Sequence, residues 1–331
     1  MAVVGAVCLL PATPAHAATA WTAPFALAGV TVGPVMAADG TTVYPETTTI
    51  SGQAYAAVQV RPPGGSLGGV QALGRTSGFP AVAAGPDGRF VAAWPDSSLA
   101  QPTVQTAVMM PGATSFGDIV GMPSAGDSPG YSPGIAVDAA GNASLIYSTT
   151  QSLAGNQRSA FVRAAVRPAS GSPTSQIVDS LGPSTDIYGI YSPQIAVSDA
   201  GAAIASWQLQ DQSTSTSTNV AAVRPTLTGA FTRSVLDTAS SGTTVYVPSV
   251  AMGPSGQGAV VWGKVASSTL SVMLRYRATG AALSATVENP ATGVTTPTSP
   301  LVGVGPDGEV VVGLLGTVTG SRRPIAVRRA P

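Results

Sequence analysis

Cysteine and histidine are almost missing from this chain: one of each, Cys8 and His16, in 331 residues. Both stand within the first seventeen positions. The remainder therefore has no disulfide, no thiolate nucleophile, no histidine-based zinc site and no Ser-His-Asp triad. Charge is scarce as well, at 9% of residues, with fifteen acids against fifteen bases. Lys264 is the single lysine, and Glu46, Glu288 and Glu309 are the only glutamates. The arginines are scattered, with doublets only at Arg322–Arg323 and Arg328–Arg329. That pattern lacks the concentrated positive field that nucleic acid or an anionic lipid surface requires. There is no heptad pattern and no apolar run of the roughly 18 residues that a spanning helix needs, so membrane insertion is not expected. Runs of Glu, Lys and Leu that favour helix are also missing, whereas Gly, Ser, Thr, Ala and Val suit short strands and turns.

The first residues read as an export signal. Ala2–Leu10 is apolar, Pro11 and Pro14 break it, and Ala15-His16-Ala17 has the small-x-small form of a cleavage site. The expectation is a secreted protein cleaved between Ala17 and Ala18, which removes Cys8 and His16. No Arg or Lys precedes the apolar run, which points to a start codon upstream of Met1. Val7 stands where lipidation of Cys8 needs a small residue. Residues 18–331 read as one domain. No linker interrupts them, and the Ser/Thr run at 213–219 reads as a loop.

What the chain has in abundance is repetition. PAVAAGPDG, PGIAVDAAG, PQIAVSDAG, PSVAMGPSG and PLVGVGPDG run from Pro80, Pro133, Pro193, Pro248 and Pro300 to Gly88, Gly141, Gly201, Gly256 and Gly308. A worn copy, VGPVMAADG, ends at Gly40. Successive glycines lie 48, 53, 60, 55 and 52 residues apart. A period near 50 means one supersecondary unit repeated. Each box is followed by a second apolar segment with Trp94, Tyr147, Trp207, Trp262 or Leu314 six residues past the glycine. Third segments (YAAVQVRP, FVRAAVRP, NVAAVRP) and fourth segments (SFGDIVG, SQIVDSLG, FTRSVLDT) complete the unit. Four short strands taken six times predict an all-β, six-bladed β-propeller with four strands per blade. The last repeat stops after its third strand, and Trp21–Leu27 supplies a surplus strand that closes the last blade and removes two free edges. A monomer is expected.

The string PGIAVDAAGNASLIY resembles the NHL repeat, a six-bladed propeller unit of the pattern P-x-G-I-A-V-D-x-x-G-N. The resemblance covers the first two strands of each repeat and implies the fold. Where NHL repeats often place an Asp after the second strand, this chain has Trp94, Tyr147, Trp207 and Trp262 nearby, and the metal and histidine positions of NHL-type enzymes are missing. Ser198-Asp199-Ala200-Gly201 with Trp207 also resembles the Asp-box of sialidases, with altered spacing.

Two rings of charge recur. Arg61, Arg167, Arg224, Arg277 and Arg329 end the third strands, with Met110 in the second repeat's slot. Asp39, Asp87, Asp138, Asp199 and Asp307 lie in the box turns. Both rings fall on one face, where turn-fixing charge pairs are favoured over an anion-binding ring. The opposite face gathers the long polar loops and the aromatics before each box. Tyr131, Tyr188, Tyr191 and Tyr246, with Asp186 and Asp211, are the candidate ligand-binding residues, since rings beside hydroxyl-rich loops suit sugars or peptides. No catalytic residue, metal site or cofactor is assigned. Asp138 with Asn142, and Asp127 near Asp118, do not form a calcium loop. The expected function is a non-catalytic module that binds a glycan, cell-wall polymer or protein. The alternative is a carboxylate-dependent glycoside hydrolase or lyase, for which Glu46, read as lying in the loop after Tyr44, would pair with Asp96 or Asp211.

Overall fold

The computed structural model describes residues 30–31, 33–96, 98–99, 103–123, 127–130, 132–184, 189–211, 215–239, 243–267, 269–291, 294, 300–318 and 321–331. Among them lie six antiparallel sheets, one for each repeat. The first holds β1 (Val30–Thr31), β2 (Val35–Met36), β3 (Thr42–Ile50), β4 (Gln53–Arg61) and β5 (Gln71–Arg75). The second holds β6 (Ala81–Ala84), β7 (Phe90–Asp96), β8 (Thr103–Met109) and β9 (Gly117–Gly121). The third holds β10 (Ser128–Pro129), β11 (Gly134–Val137), β12 (Ala143–Ser152), β13 (Arg158–Arg167) and β14 (Thr174–Ser184). The fourth holds β15 (Gly189–Val197), β16 (Ala203–Asp211), β17 (Thr216–Arg224) and β18 (Thr232–Thr238). The fifth holds β19 (Thr243–Val245), β20 (Ser249–Met252), β21 (Gly258–Ala266) and β22 (Thr269–Arg277), with its fourth segment reduced to the bridge Leu274–Glu288. The sixth holds β23 (Leu301–Val304), β24 (Val310–Val318) and β25 (Ser321–Arg329). The segment Trp21–Leu27 lies outside the described residues.

The boxes form the first strands. Each ends in the same turn: the glycine N–H donates to the carbonyl three residues back, at 2.9–3.1 Å in all six repeats. The glycines have φ between +78° and +91°. Glycine adopts that left-handed backbone without steric cost, and a turn capped this way feeds directly into a second antiparallel strand. The box strands of successive sheets lie against one another, β2 on β6, β6 on β11, β11 on β15, β15 on β20 and β20 on β23. At the β11–β15 seam a Cβ on Gly134 would meet the Pro193 carbonyl at 2.7 Å, so a larger residue would push the strands apart.

The core lies between sheets. Val43, Val58, Phe90, Trp94 and Met109 fill the first seam, and Leu145, Tyr147, Val91 and Met122 the second. Trp207 with Ile146 and Val162 fills the third, Trp262 with Ile204 the fourth, and Leu274 with Val312 and Leu314 the fifth. Strands covered on both faces are continuously apolar rather than alternating. This stacking of antiparallel sheets of three to five strands is consistent with a β-propeller.

Candidate functional site

In the second to sixth sheets the second strand carries a side chain toward the preceding sheet at the position six residues past the box glycine. Trp207 Nε1 donates to Asp179 of β14 at 3.2 Å, and Trp262 Nε1 donates to Asp237 of β18 at 3.3 Å. The Trp94 ring lies against Gly74 of β5. In the first repeat this slot holds Glu46, a residue of strand β3 rather than of a loop, paired in register with Ala57. Glu46 is 1% exposed, and among the described residues neither carboxyl oxygen has a hydrogen-bond partner. Burial without a donor disfavours the charged form and raises its pKa above the ordinary glutamate value. Counting six residues from Gly40 finds this residue in the sequence. Asp96 ends β7 two positions beyond the equivalent slot. It is buried, and its Oδ1 accepts the Ser98 N–H at 2.9 Å and the Ser98 hydroxyl at 2.6 Å.

Other buried polar groups near the same strand ends brace the connections between sheets. Asp127 accepts from Arg163 Nε at 3.0 Å, from Arg163 Nη2, and from Thr149 Oγ1 at 3.2 Å. Tyr147 pairs in register with Arg163, and burial pushes its hydroxyl pKa up to about 12. Gln208 Nε2 donates to Asn219 Oδ1 and to the Val245 carbonyl, and Asn219 Nδ2 donates to the Tyr246 carbonyl.

Of the expected ligand-binding residues, Tyr131, Asp186 and Tyr188 lie outside the described residues. Tyr191, half-buried on β15, pairs in register with Gln208. Tyr246, 40% exposed, follows β19 and donates its N–H to the Gly263 carbonyl at 2.9 Å. The Gln208–Asn219 amide pair thus holds the Val245–Tyr246 backbone, next to the strand pair of Gln208 with Tyr191. Asp211 ends β16, half-buried and engaged with a partner.

Of the arginine ring, Arg167, Arg224 and Arg277 are buried, while Arg61 and Arg329 are half-buried. Arg224 Nη2 donates to Ser144 Oγ at 2.7 Å and to the Gly201 carbonyl at 3.1 Å, while Arg277 reaches the carbonyls of Ala281 and Gly256. Both side chains are buried. Buried guanidinium donors need acceptors, and the box and hairpin turns present them. The aspartates fix their own turns: Asp39 accepts the Thr41 N–H, Asp87 the Arg89 N–H, Asp138 the N–H groups of Ala140 and Asn142, and Asp307 that of Glu309. Pairing register places Met109, opposite Phe90, in the arginine slot of the second sheet, in place of the expected Met110. Met109 is buried and Met110 exposed.

No protein-family model matches the chain, and no curated protein does. Among solved structures it is similar to the α-L-arabinanase of Penicillium chrysogenum complexed with arabinobiose, at 17% identity over 74% of this chain and 80% of that one, with a TM-score of 0.47. It is similar to the GH93 α-L-arabinofuranosidase of Fusarium graminearum, at 12% identity over 90% and 91%, TM-score 0.45. It is also similar to the polysaccharide lyase Uly1, at 10% identity over 88% and 79%, TM-score 0.46. Scores below 0.5 at such identities assign no residue a role here. The non-catalytic binding module expected from the sequence is nevertheless corrected at this point: the neighbours are mainly glycoside hydrolases with a polysaccharide lyase among them, and the carboxylate-dependent alternative fits them better.

Proposed function

We propose that the chain acts on glycosidic bonds as a carboxylate-dependent hydrolase or lyase. In this reading it is exported with cleavage near Ala17, and its sheets close as six blades through Trp21–Leu27. The observation that carries the proposal is Glu46: a buried carboxyl with no hydrogen-bond partner among the described residues, its pKa raised by burial, in a slot that four other sheets fill with an aromatic ring. A carboxyl whose surroundings favour its neutral form is suited to protonating a leaving glycosidic oxygen. Asp96, buried at the end of β7, is the proposed second carboxyl. Tyr191, Tyr246 and Asp211 form the described part of a rim for sugar rings, and Tyr131, Tyr188 and Asp186 complete it.

Glu46 is buried in the free protein, so the reading requires that substrate binding uncovers it. The test is purified protein assayed on neutral and uronate-containing polysaccharides, arabinan among them, for reducing ends and for unsaturated products. Glu46→Gln is expected to lower turnover by roughly 10²–10⁴-fold while the protein stays folded. Wild-type turnover in a folded Glu46→Gln variant, or no cleavage of any polysaccharide by the wild type, overturns the proposal.

A further inference from the structure

The end of the molecule where the box turns gather carries a cavity that this reading does not use. It lies between the second and third sheets, has a volume of about 110 Å³, and is walled by Arg89, Arg167, Asp118 and Met110 among others. A more open hollow of about 300 Å³ adjoins it. The two share Val108, Met110 and Asp118, and the second adds Ala113 and Phe116. The hairpin that forms this wall is held from the first sheet, since the Gln71 side-chain amide accepts the Phe116 N–H at 2.9 Å and donates to its carbonyl at 2.8 Å.

Two guanidinium groups face the first cavity. Arg167, whose side chain is 7% exposed, donates through Nη1 to Thr106 Oγ1 at 2.9 Å and through Nη2 to the carbonyl and carboxylate of Asp118. Arg89 donates to Asp87 at 2.7 Å and to the Gly141 carbonyl at 3.3 Å. Burial lowers the Arg167 pKa, Asp118 opposes this, and the charge of Arg89 lowers it further. Asp118 differs from its surroundings: its side chain is 76% exposed and its φ is +49°. A carboxylate so hydrated gains little from the pairing and is readily exchanged. Arg61, Arg224 and Arg277, in the same slot of their own sheets, rest on backbone carbonyls instead. The apolar surface lies in the adjoining hollow, where Val108, Met110, Ala113 and Phe116 line the wall and Met110 is exposed.

We propose that this is a binding site for a small organic carboxylate with an apolar body. The carboxylate replaces that of Asp118 on Arg167, with Arg89 as second donor, a geometry suited to guanidinium forks. The body lies in the adjoining hollow against Val108, Met110 and Ala113. The site is independent of Glu46 and of the glycosidase reading.

The test titrates the whole protein by calorimetry with benzoate, acetate, sulfate and the neutral isostere benzamide, each variant being checked for an unchanged melt. Benzoate is expected to bind at least tenfold more tightly than acetate, and benzamide not at all. Asp118→Asn should tighten benzoate several-fold by removing the internal competitor, and Arg89→Gln should weaken it about tenfold. Met110→Ser should bring benzoate down toward acetate. Sulfate binding as tightly as benzoate, or affinity unchanged or weakened in Asp118→Asn, overturns the proposal.

Discussion

Substitution of Arg224 distinguishes a surface charge from a buried one. The residue is 0% exposed, and its guanidinium stacks over Phe231 at 5.2 Å and donates to two neutral oxygens. Burial lowers its pKa to about 10, with Asp138 opposing the shift. Against the ordinary 12.5, at 1.36 kcal/mol per unit, keeping the charge at neutral pH costs on the order of 3 kcal/mol. The unfolded chain binds this proton more tightly than the folded one. The penalty is therefore complete below pH 10 and fades only as pH rises beyond it, outside the range of ordinary melts. Replacement is the practical probe. Arg224→Met removes the charge, keeps most of the volume and gives up two hydrogen bonds of about 1 kcal/mol each. Its net effect should fall within about 1 kcal/mol, as Met109 already fills the equivalent slot of the second sheet. Arg224→Ala also leaves a cavity and should cost about 3 kcal/mol. At about 2–4 °C per kcal/mol, calorimetry should place the alanine melt roughly 6–12 °C below wild type, by that same scaling. The methionine melt should lie within about 4 °C. Equal losses in the two variants would refute the reasoning, because they would show that the hydrogen bonds outweigh desolvation. No loss in either would show that the guanidinium is solvated.

Glu46 gives a pH signature of opposite sense to that of an ordinary ion-paired carboxylate. Its folded pKa lies above the unfolded value of 4.5, so stability should fall as pH rises from 4.5 upward, and Glu46→Gln should remove that component. Urea melts at pH 4.5 and 7 measure it, and identical slopes for the two proteins would count against the buried acid. The tryptophans form an internal comparison. Trp207→Phe loses a hydrogen bond to Asp179, whereas Trp94→Phe loses only an N–H that has no partner among the described residues, so the first should cost about 1 kcal/mol more. Equal costs in denaturant melts would mean that the indole–Asp contact contributes nothing.

The repeat was legible because turn chemistry is local. A glycine forced to positive φ, an aspartate able to accept its own turn's N–H groups and a proline at a fixed offset leave a mark in every copy. Third and fourth segments were legible for the same reason, and only 283–289 shrank to a bridge. What escaped depends on contacts between sheets. Arginine reads as a surface residue, yet the sheets close over Arg224 and Arg277. Met110 precedes Pro111 as Arg61, Arg167 and Arg224 precede a proline, yet it stands one residue past the arginine slot. A slip of one position in a strand exchanges the buried and exposed faces, which is how Met109 and Met110 changed places. Pro45 and the threonines after it suggested a loop, but the segment is strand β3, so Glu46 counts from its box glycine as the other slots do.

The slot at Glu46 separates scaffold from function more sharply than the tyrosine rim does. In the second to fifth sheets it holds Trp94, Tyr147, Trp207 and Trp262, large rings whose burial joins each sheet to its predecessor. A carboxyl there forfeits that packing and leaves two buried oxygens without donors, which costs stability under any reading of the fold. Tyr191 and Tyr246, by contrast, recur in register before their boxes and are tied by backbone hydrogen bonds, so the repeat itself accounts for them. A departure that lowers stability and that the repeat does not require is the stronger sign of chemistry, and among the residues described Glu46 is where that departure is largest.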